Sequence, residues 1–256
     1  MAEEFLRNGA VLEQMQELRR QFDAAADSWD AEHGPDSARA VEFAARIRYL
    51  RKVCRRLGRP RVLDLGCATG QVLAQLSPVI DDGVGVDISG AMIERAQRIA
   101  QIGKLRFRTD EAVRFCNHCS EHFDLVLFVG TLEHLPDREA ALASVRRVLG
   151  REGLLVVISP HPWNLLFLLE NLAHLGREMP PASHLSPRCL AAVARRNGFR
   201  LTNISALPYA PWPALSPILA RMPTLSSLAP KNLLTGVVRG AFAAEFGHRE
   251  PNGVGK

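Results

Sequence analysis

Apolar positions recur along this chain at two periods, and the change comes near residue 61. Before it, Phe5, Leu12, Met15, Leu18 and Phe22 repeat at the spacing of one helix face, which predicts a helix over 3–26. Ser28-Trp29-Asp30 and His33-Gly34-Pro35-Asp36 predict a loop. Phe43, Ile47, Leu50, Cys54 and Leu57 then predict a second helix over 37–57, stopped by Gly58 and Pro60. From 61 onward short apolar runs alternate with helical ones. Strands are expected at 61–65, 83–87, 105–108, 123–129 and 154–159, with helices at 69–76, 90–101 and 137–149 between them. Ser89 is the expected N-cap of the helix at 90–101, whose Met92, Ile93, Ala96 and Ile99 turn inward. Strand–helix alternation argues for βαβ units and a mostly parallel sheet covered on both faces. The alternation breaks at 160–185, an apolar and proline-flanked stretch, and resumes with a helix at 186–197 and a strand at 198–204.

Composition adds boundaries. The formal charge of +5 is a mild basic bias that permits an anionic partner without requiring one. Its densest part is the second helix and its exit, with Arg46, Arg48, Arg51, Lys52, Arg55, Arg56, Arg59 and Arg61 and no acid between Glu42 and Asp64. That run reads as a nucleic-acid or anionic-membrane face, or as a solvated face with cations where the helix dipole favours them. The second reading is preferred because no aromatic stacking residues alternate with the cations. Five cysteines, an odd count without framework spacing, suit a reducing cytosol. Without a signal-like N-terminus or an apolar run of membrane length, the expectation is a cytoplasmic protein. Cys116 and Cys119 have C-x-x-C spacing, but a structural zinc needs four ligands and no second pair exists, so no metal is expected.

The chemistry centres on Arg61-Val-Leu-Asp-Leu-Gly-Cys-Ala-Thr-Gly70. Val62, Leu63 and Leu65 form a strand buried on both faces, and Gly66 and Gly70 bracket a turn where backbone can approach a ligand closely. Strand, glycine turn and helix together present free N–H groups to a nucleotide. The second strand ends in Asp87, an acid placed to accept from ribose hydroxyls. Ala68 occupies a position where the dinucleotide fingerprint G-x-G-x-x-G needs glycine, so that fingerprint is absent. Ligands in such sheets bind beyond the carboxyl ends of the strands, which brings Gly66, Asp87, Asp110 and Gly130 to one crevice.

The pattern Asp64-x-Gly66-x-x-x-Gly70 resembles motif I of the class I S-adenosylmethionine (SAM)-dependent methyltransferases, with Ala68 where that family commonly has glycine. Phe123-Asp-Leu-Val-Leu-Phe-Val-Gly-Thr-Leu-Glu-His-Leu-Pro-Asp137 resembles the later motifs of the small-molecule members, similar to ubiquinone-biosynthesis-type enzymes, and the turn 147–153 resembles the entry to strand five. The resemblance implies a Rossmann-like, doubly wound α/β fold with a mostly parallel seven-stranded sheet, N-terminal helices and a lid insertion. It implies SAM as cofactor and S-adenosylhomocysteine (SAH) as product. Asp64, Gly66, Cys67, Ala68 and Gly70 would shape the methionine end, with Asp64 reaching the amino group through water. Asp87 would hold the ribose, Ile88 and Met92 would pack near the adenine, Asp110 with Glu111 beside it would accept from the adenine amino group, and Val129 and Gly130 would complete the pocket. Val129-Gly130-Thr131-Leu132 stands where amino-methyltransferases of nucleic acids carry an Asn/Asp-Pro-Pro-aromatic turn, which disfavours that subclass.

Methyl transfer to a hydroxyl gains from a general base. The candidates are His134 and Glu133 after strand four, His161 after strand five and His184 in the insertion. The expected organisation is an N-terminal helical substrate cap over 1–60 and a SAM-binding core over 61–204 that includes the 160–185 lid. An apolar, Pro-rich segment follows over 205–246, and a disordered tail over 247–256. The apolar segment is either core or a lid and membrane-touching surface for a lipophilic acceptor. The function expected is methylation, at oxygen in preference to nitrogen or carbon, of a small apolar molecule. The alternatives are an RNA methyltransferase working through 46–61 and a non-catalytic SAM-binding or membrane-associated protein.

Overall fold

The computed structural model describes residues 2–37, 39–99, 104–160, 185–207 and 241–248, with side chains from residue 9 onward. Two long helices, α1 (Ala2–Ala25) and α3 (Ala40–Arg56), precede the sheet, as the apolar spacing predicts. Between them, where a loop is expected, lies a short helix, α2 (Trp29–His33). One turn of helix is unstable alone. Here it is held by the Trp29 ring stacked on His33 at 4.2 Å and edge-on to Phe22 at 5.8 Å.

Among the described residues seven strands follow: β1 (Arg61–Leu65), β2 (Asp82–Asp87), β3 (Leu105–Thr109), β4 (Phe123–Val129), β5 (Leu149–Pro160), β6 (Phe199–Leu207) and β7 (Ala241–His248). They form one sheet in the order β3-β2-β1-β4-β5-β7-β6, parallel except for β7, which pairs antiparallel with both neighbours. The chain runs outward from β1 to β3 and then returns to β4 on the other side of β1. That reversal opens a crevice beyond the carboxyl ends of β1 and β4. The connecting helices are α4 (Gln71–Leu76), α5 (Gly90–Ile99), α6 (Ala112–His118), α7 (Arg138–Val148) and α8 (Pro187–Arg196).

Strand parity sorts the core. Leu63 and Leu65, Val126 and Phe128, Leu155 and Val157 share one cluster with Phe115, Leu142, Val145 and Leu190 of the helices α6, α7 and α8. Val62, Leu125, Leu127, Val156 and Ile158 share the other with Leu50, Cys54, Leu73 and Ile93 of α3, α4 and α5. Because both faces are covered, the central strands read as continuous apolar runs and not as alternating ones.

Two boundaries differ from expectation for visible reasons. β5 starts at Leu149, which pairs with Phe123 ahead of a register shift in β4, so of the turn expected at 147–153 the first two residues end α7 and the rest is absorbed into the strand. β7 takes in Gly247 and His248, which the sequence reading assigned to the tail; His248 is held by its Nε2 3.0 Å from the Gly150 carbonyl and by stacking near Phe199. The insertion at 161–184, the apolar segment at 208–240 and the tail at 249–256 lie outside the described residues.

The basic helix is largely spent on the fold. Arg46 pairs with Glu42 and Arg56 with Glu245; Arg51 donates to the Gln75 carbonyl at 2.8 and 3.1 Å. Arg59 donates to the Pro78 and Ile80 carbonyls, and Arg61 joins Arg106, Asp82 and Glu121 in a network across the strand starts. Five of the eight cations are therefore committed to intramolecular contacts.

Glu245 sits in the middle of β7, 3% exposed, and accepts from the Tyr49 hydroxyl at 2.6 Å, the Asn203 amide at 3.0 Å and Arg56. Burial alone would push its carboxyl up, but these three donors together hold it below the ordinary value of 4.5. A carboxyl depressed in the folded state stabilises above its unfolded pKa, and that contribution disappears as pH falls through the folded one. Acid titration of unfolding should therefore show a loss of stability below about pH 4.5 that Glu245→Gln diminishes.

Candidate functional site

The turn after β1 is built on three backbone bonds. The N–H groups of Gly66 and Cys67 both donate to the Val86 carbonyl, at 2.7 and 3.1 Å, and Gly70 N–H donates to Cys67 at 2.9 Å. Gly66 has φ +78, and a Cβ there would lie 2.2 Å from Thr131 Cγ2, so the position admits only glycine. Gly70, also at φ +78, backs onto the Phe107 ring, where a Cβ would meet Cζ at 2.7 Å.

Ala68 is the exception in this turn, with φ +47 and no glycine to relieve it. A left-handed L-residue costs about 1–2 kcal/mol, and glycine gives back part of the gain through its freer unfolded chain. Ala68→Gly should accordingly raise stability in urea unfolding by ~0.5–1 kcal/mol. A decrease would show that the turn is unstrained.

Asp87 ends β2 with its carboxylate 8% exposed. Its Oδ2 accepts from Ala68 N–H at 2.9 Å and its Oδ1 from Ser89 N–H at 2.9 Å, so one carboxylate ties the turn after β1 to the turn after β2. Burial pushes its pKa up while these two N–H groups pull it back. Asp64, at the end of β1, is 1% exposed, and neither of its oxygens meets a donor among the described residues. Burial first, then the nearby Asp87 charge, push it up to about 7. An orphaned, buried carboxylate at the floor of the crevice is what a cationic ligand group would satisfy, directly or through water.

The remaining predicted contacts divide. Ile88 is half-buried at the crevice, Cys67 is buried beside Asp64 and Asp87 with its thiol pushed well up, and Met92, in the first turn of α5, is fully buried. Asp110 is joined to the site by its N–H, which donates to the Asp87 carbonyl at 2.9 Å. Its Oδ1 accepts from Glu111 N–H and from Arg114 at 2.6 Å. Glu111 is the N-cap of α6, accepting from Val113 and Arg114 N–H at 2.9 and 2.7 Å. Its carboxylate thus has a helix-starting role that the sequence reading did not assign.

Val129 and Gly130 end β4, with Gly130 at φ +71 and its N–H donating to the Ile158 carbonyl at 2.8 Å. The following loop is pinned by Arg138, which donates to the Leu132 and Glu133 carbonyls at 3.2 Å each. Glu133 is 4% exposed; burial pushes it up to about 7, against the pull of Arg46, the Ser159 hydroxyl and Arg138. His134 sits on a turn closed by its N–H to the Thr131 carbonyl at 2.9 Å. Its ring meets Phe22 edge-on at 5.8 Å. Burial and the Arg138 charge lower its pKa below 6.5, so the imidazole is neutral at pH 7. His161 and His184 lie outside the described residues. Cys116 is buried and Cys119 half-buried, and no group of three or more potential metal ligands occurs among the described residues.

Sequence reasoning expected residues 1–60 as a cap but named none of the side chains that α1 and α2 bring to the site. Phe22, Trp29 and His33 form an aromatic wall that reaches His134. Burial, then the charges of Arg39 and Arg46, lower His33 to about 4, so it too is neutral. Asp23 accepts from Ser89 Oγ at 2.6 Å and Asp30 from Thr69 Oγ1 at 2.5 Å. The signal available was the spacing of Asp23, Asp27 and Asp30, which a search for apolar periodicity passes over.

These residues suit a nucleoside-like cation: a glycine cradle, an acid with acceptor capacity toward ribose, and an unpartnered carboxylate. Comparison with known proteins agrees. Residues 36–204 match the family described as a methyltransferase domain. Over 200 residues the chain is 23% identical to a ubiquinone biosynthesis O-methyltransferase of Xanthomonas axonopodis pv. citri, covering 75% of this chain and 83% of that protein. Its fold is similar to that in a DhpI–SAH complex, with a TM-score of 0.64 at 19% identity over 93% of this chain and 98% of the other. It is also similar to the N-methyltransferase NodS of Bradyrhizobium japonicum in complex with SAH, with a TM-score of 0.63 at 15% identity over 91% and 98% of the two chains. The family match spans more than half of the chain, glycine turn and β4 loop included, and the protein belongs to the class I SAM-dependent methyltransferases, with SAM as its methyl donor.

Proposed function

We propose that the enzyme methylates an oxygen of a small, largely apolar acceptor, and that His134 takes up the acceptor's proton. The observation that carries this reading is a neutral imidazole at the carboxyl end of β4, facing an aromatic wall and held by a pinned loop. When bound, SAM supplies a methyl on a sulfonium; transfer breaks the S–CH3 bond, leaves its electrons on sulfur, and forms the O–CH3 bond. Asp64 and Asp87 orient the donor, and Gly66 lets the backbone lie against it. Phe22 and Trp29 exclude water from the reacting centre, which strengthens every charge interaction inside. His134 accepts the proton as the acceptor oxygen becomes nucleophilic. Glu133, whose carboxyl burial pushes up to about 7, is the second candidate for that proton.

Support for oxygen and for a small acceptor comes from the name of the Xanthomonas relative. On this reading residues 1–60 act as the substrate cap over the 61–204 core. The apolar sequence of 205–246 would favour a lipophilic acceptor met at a membrane surface, since no helix among the described residues is long and apolar enough to cross one. The RNA alternative loses ground because five of the eight cations in 46–61 are engaged within the fold.

The test is incubation of the purified enzyme and methyl-labelled SAM with fractionated extract, then identification of the labelled product by mass. Label in an organic-soluble small molecule bearing a new O-methyl group is the expected result. Label in RNA would replace this reading with the RNA one. Absence of label from every fraction would favour a non-catalytic SAM-binding protein.

A further inference from the structure

The N-terminal helices touch the cofactor site through carboxylates, and those carboxylates reach turns on both sides of the crevice. Asp23, in the last turn of α1, accepts from Ser89 Oγ at 2.6 Å and from Ala91 N–H at 3.2 Å. Asp27 pairs with Arg95 of α5. Asp30, in α2, accepts from Thr69 Oγ1 at 2.5 Å and from Gln71 Nε2 at 3.4 Å. Thr69 belongs to the turn after β1, and Ser89 follows Asp87 in the turn after β2. Phe22 meanwhile touches His134 after β4. The segment from Phe22 to His33 therefore lies across the mouth of the crevice, in contact with all three strand ends that build it.

We propose that Asp23 and Asp30 are positioning residues of the cofactor site and that, with Asp27, they make this segment a latch whose release gates the exchange of SAM and SAH. The proposal rests on the crevice being the SAM site. Ser89 is fully buried and Thr69 is 1% exposed, and their hydroxyls find their acceptors in Asp23 and Asp30. Closing the latch thus satisfies two buried hydroxyls on the turns that carry the cofactor-binding backbone. Opening it hands those hydroxyls and both carboxylates to water, so neither state strands a polar group.

Charge gives the latch a direction. SAM carries a net positive charge at neutral pH, and SAH, having lost the sulfonium, carries none. Asp23 lies close enough to Asp87 to raise its pKa, so the closed latch places a further negative charge beside the ribose end of the site. Closure is accordingly favoured over the donor and less favoured over the product. Of its contacts the Asp27–Arg95 pair is ionic and exposed, so salt weakens that one.

The experiment is surface plasmon resonance of SAH, and separately of SAM, over the immobilised full-length protein at two salt concentrations. Wild type is compared with Asp23→Asn/Asp30→Asn, in which oxygen acceptors are kept and charge is lost. The expected result is that association and dissociation of SAH both quicken about tenfold, while the equilibrium constant moves less than about threefold. Dissociation should also quicken with salt in wild type and variant alike, because both keep the Asp27–Arg95 pair. Dissociation within about twofold of wild type in a variant of unchanged melting temperature would overturn the latch. So would faster dissociation with unchanged association, which marks a lost contact and no gate. If the double variant does not fold, Asp30→Asn alone carries the same test at about threefold in both rates. Wild-type protein that binds neither SAM nor SAH would instead remove the cofactor assignment on which the latch stands.

Discussion

Asp87→Ala is expected to take SAM binding below calorimetric detection. The carboxylate does two things at once. Two of its acceptor positions hold the Ala68 and Ser89 N–H groups, fixing the turn after β1 against the turn after β2. A carboxylate offers about four lone-pair sites, so two remain for the ribose hydroxyls. Hydrogen bonds to a charged acceptor contribute roughly 1.5–3 kcal/mol each, and losing two corresponds to about two to four orders of magnitude in affinity. The freed Ala68 and Ser89 N–H groups let both turns relax away from the ligand, which adds to the loss. Asp87→Asn, with one acceptor oxygen in place of two, should fall between the variant and wild type. Affinity unchanged in a folded Asp87→Ala protein would overturn the pocket assignment.

His134→Ala is expected to act on turnover and leave the donor alone. Removing a positioned base typically costs about 10²–10⁴-fold in rate, and His134 is not among the groups that hold SAM, so its affinity should stay within about twofold. The pH profile gives a second check. Burial and Arg138 lower the imidazole's pKa, so the base form persists to below pH 6.5 and activity is lost only as pH falls through that lowered value. In His134→Ala that acidic limb should vanish, leaving whatever limb Glu133 and Asp64, both pushed up to about 7, impose. Full activity in the variant would remove His134 from the mechanism and turn attention to Glu133.

The glycine turn, the acid after β2 and the β4 loop were legible because each is a local signal: a residue type required by backbone geometry or strand end. Gly66 needs its positive φ and the space that Thr131 occupies, and no other residue supplies both. The long helices and the first four strands were legible for the same reason, since periodicity is written within one element. β7 was not. Its sequence, Ala-Phe-Ala-Ala-Glu-Phe-Gly-His, is poor in β-branched residues, and it forms because β5 and β6 flank it on both sides. Glu245 in that run is a buried acceptor for three donors from α3 and β6.

What the sequence determined by itself was the doubly wound sheet, because apolar period is enforced residue by residue; the cofactor was implied by the resemblance of Asp64-x-Gly66-x-x-x-Gly70 to the family's motif, and the family match supports it. What only the tertiary structure decided was the use of the polar groups between elements. Arg46, Arg51 and Arg56 of α3 met carbonyls and carboxylates of the fold, Glu111 became a helix cap, and Asp23 and Asp30 met hydroxyls more than thirty residues away. Such pairings have no period and no required spacing. They follow from which faces the packing of α1, α2 and α3 brings together, and burial then leaves each donor no partner but the one it finds there.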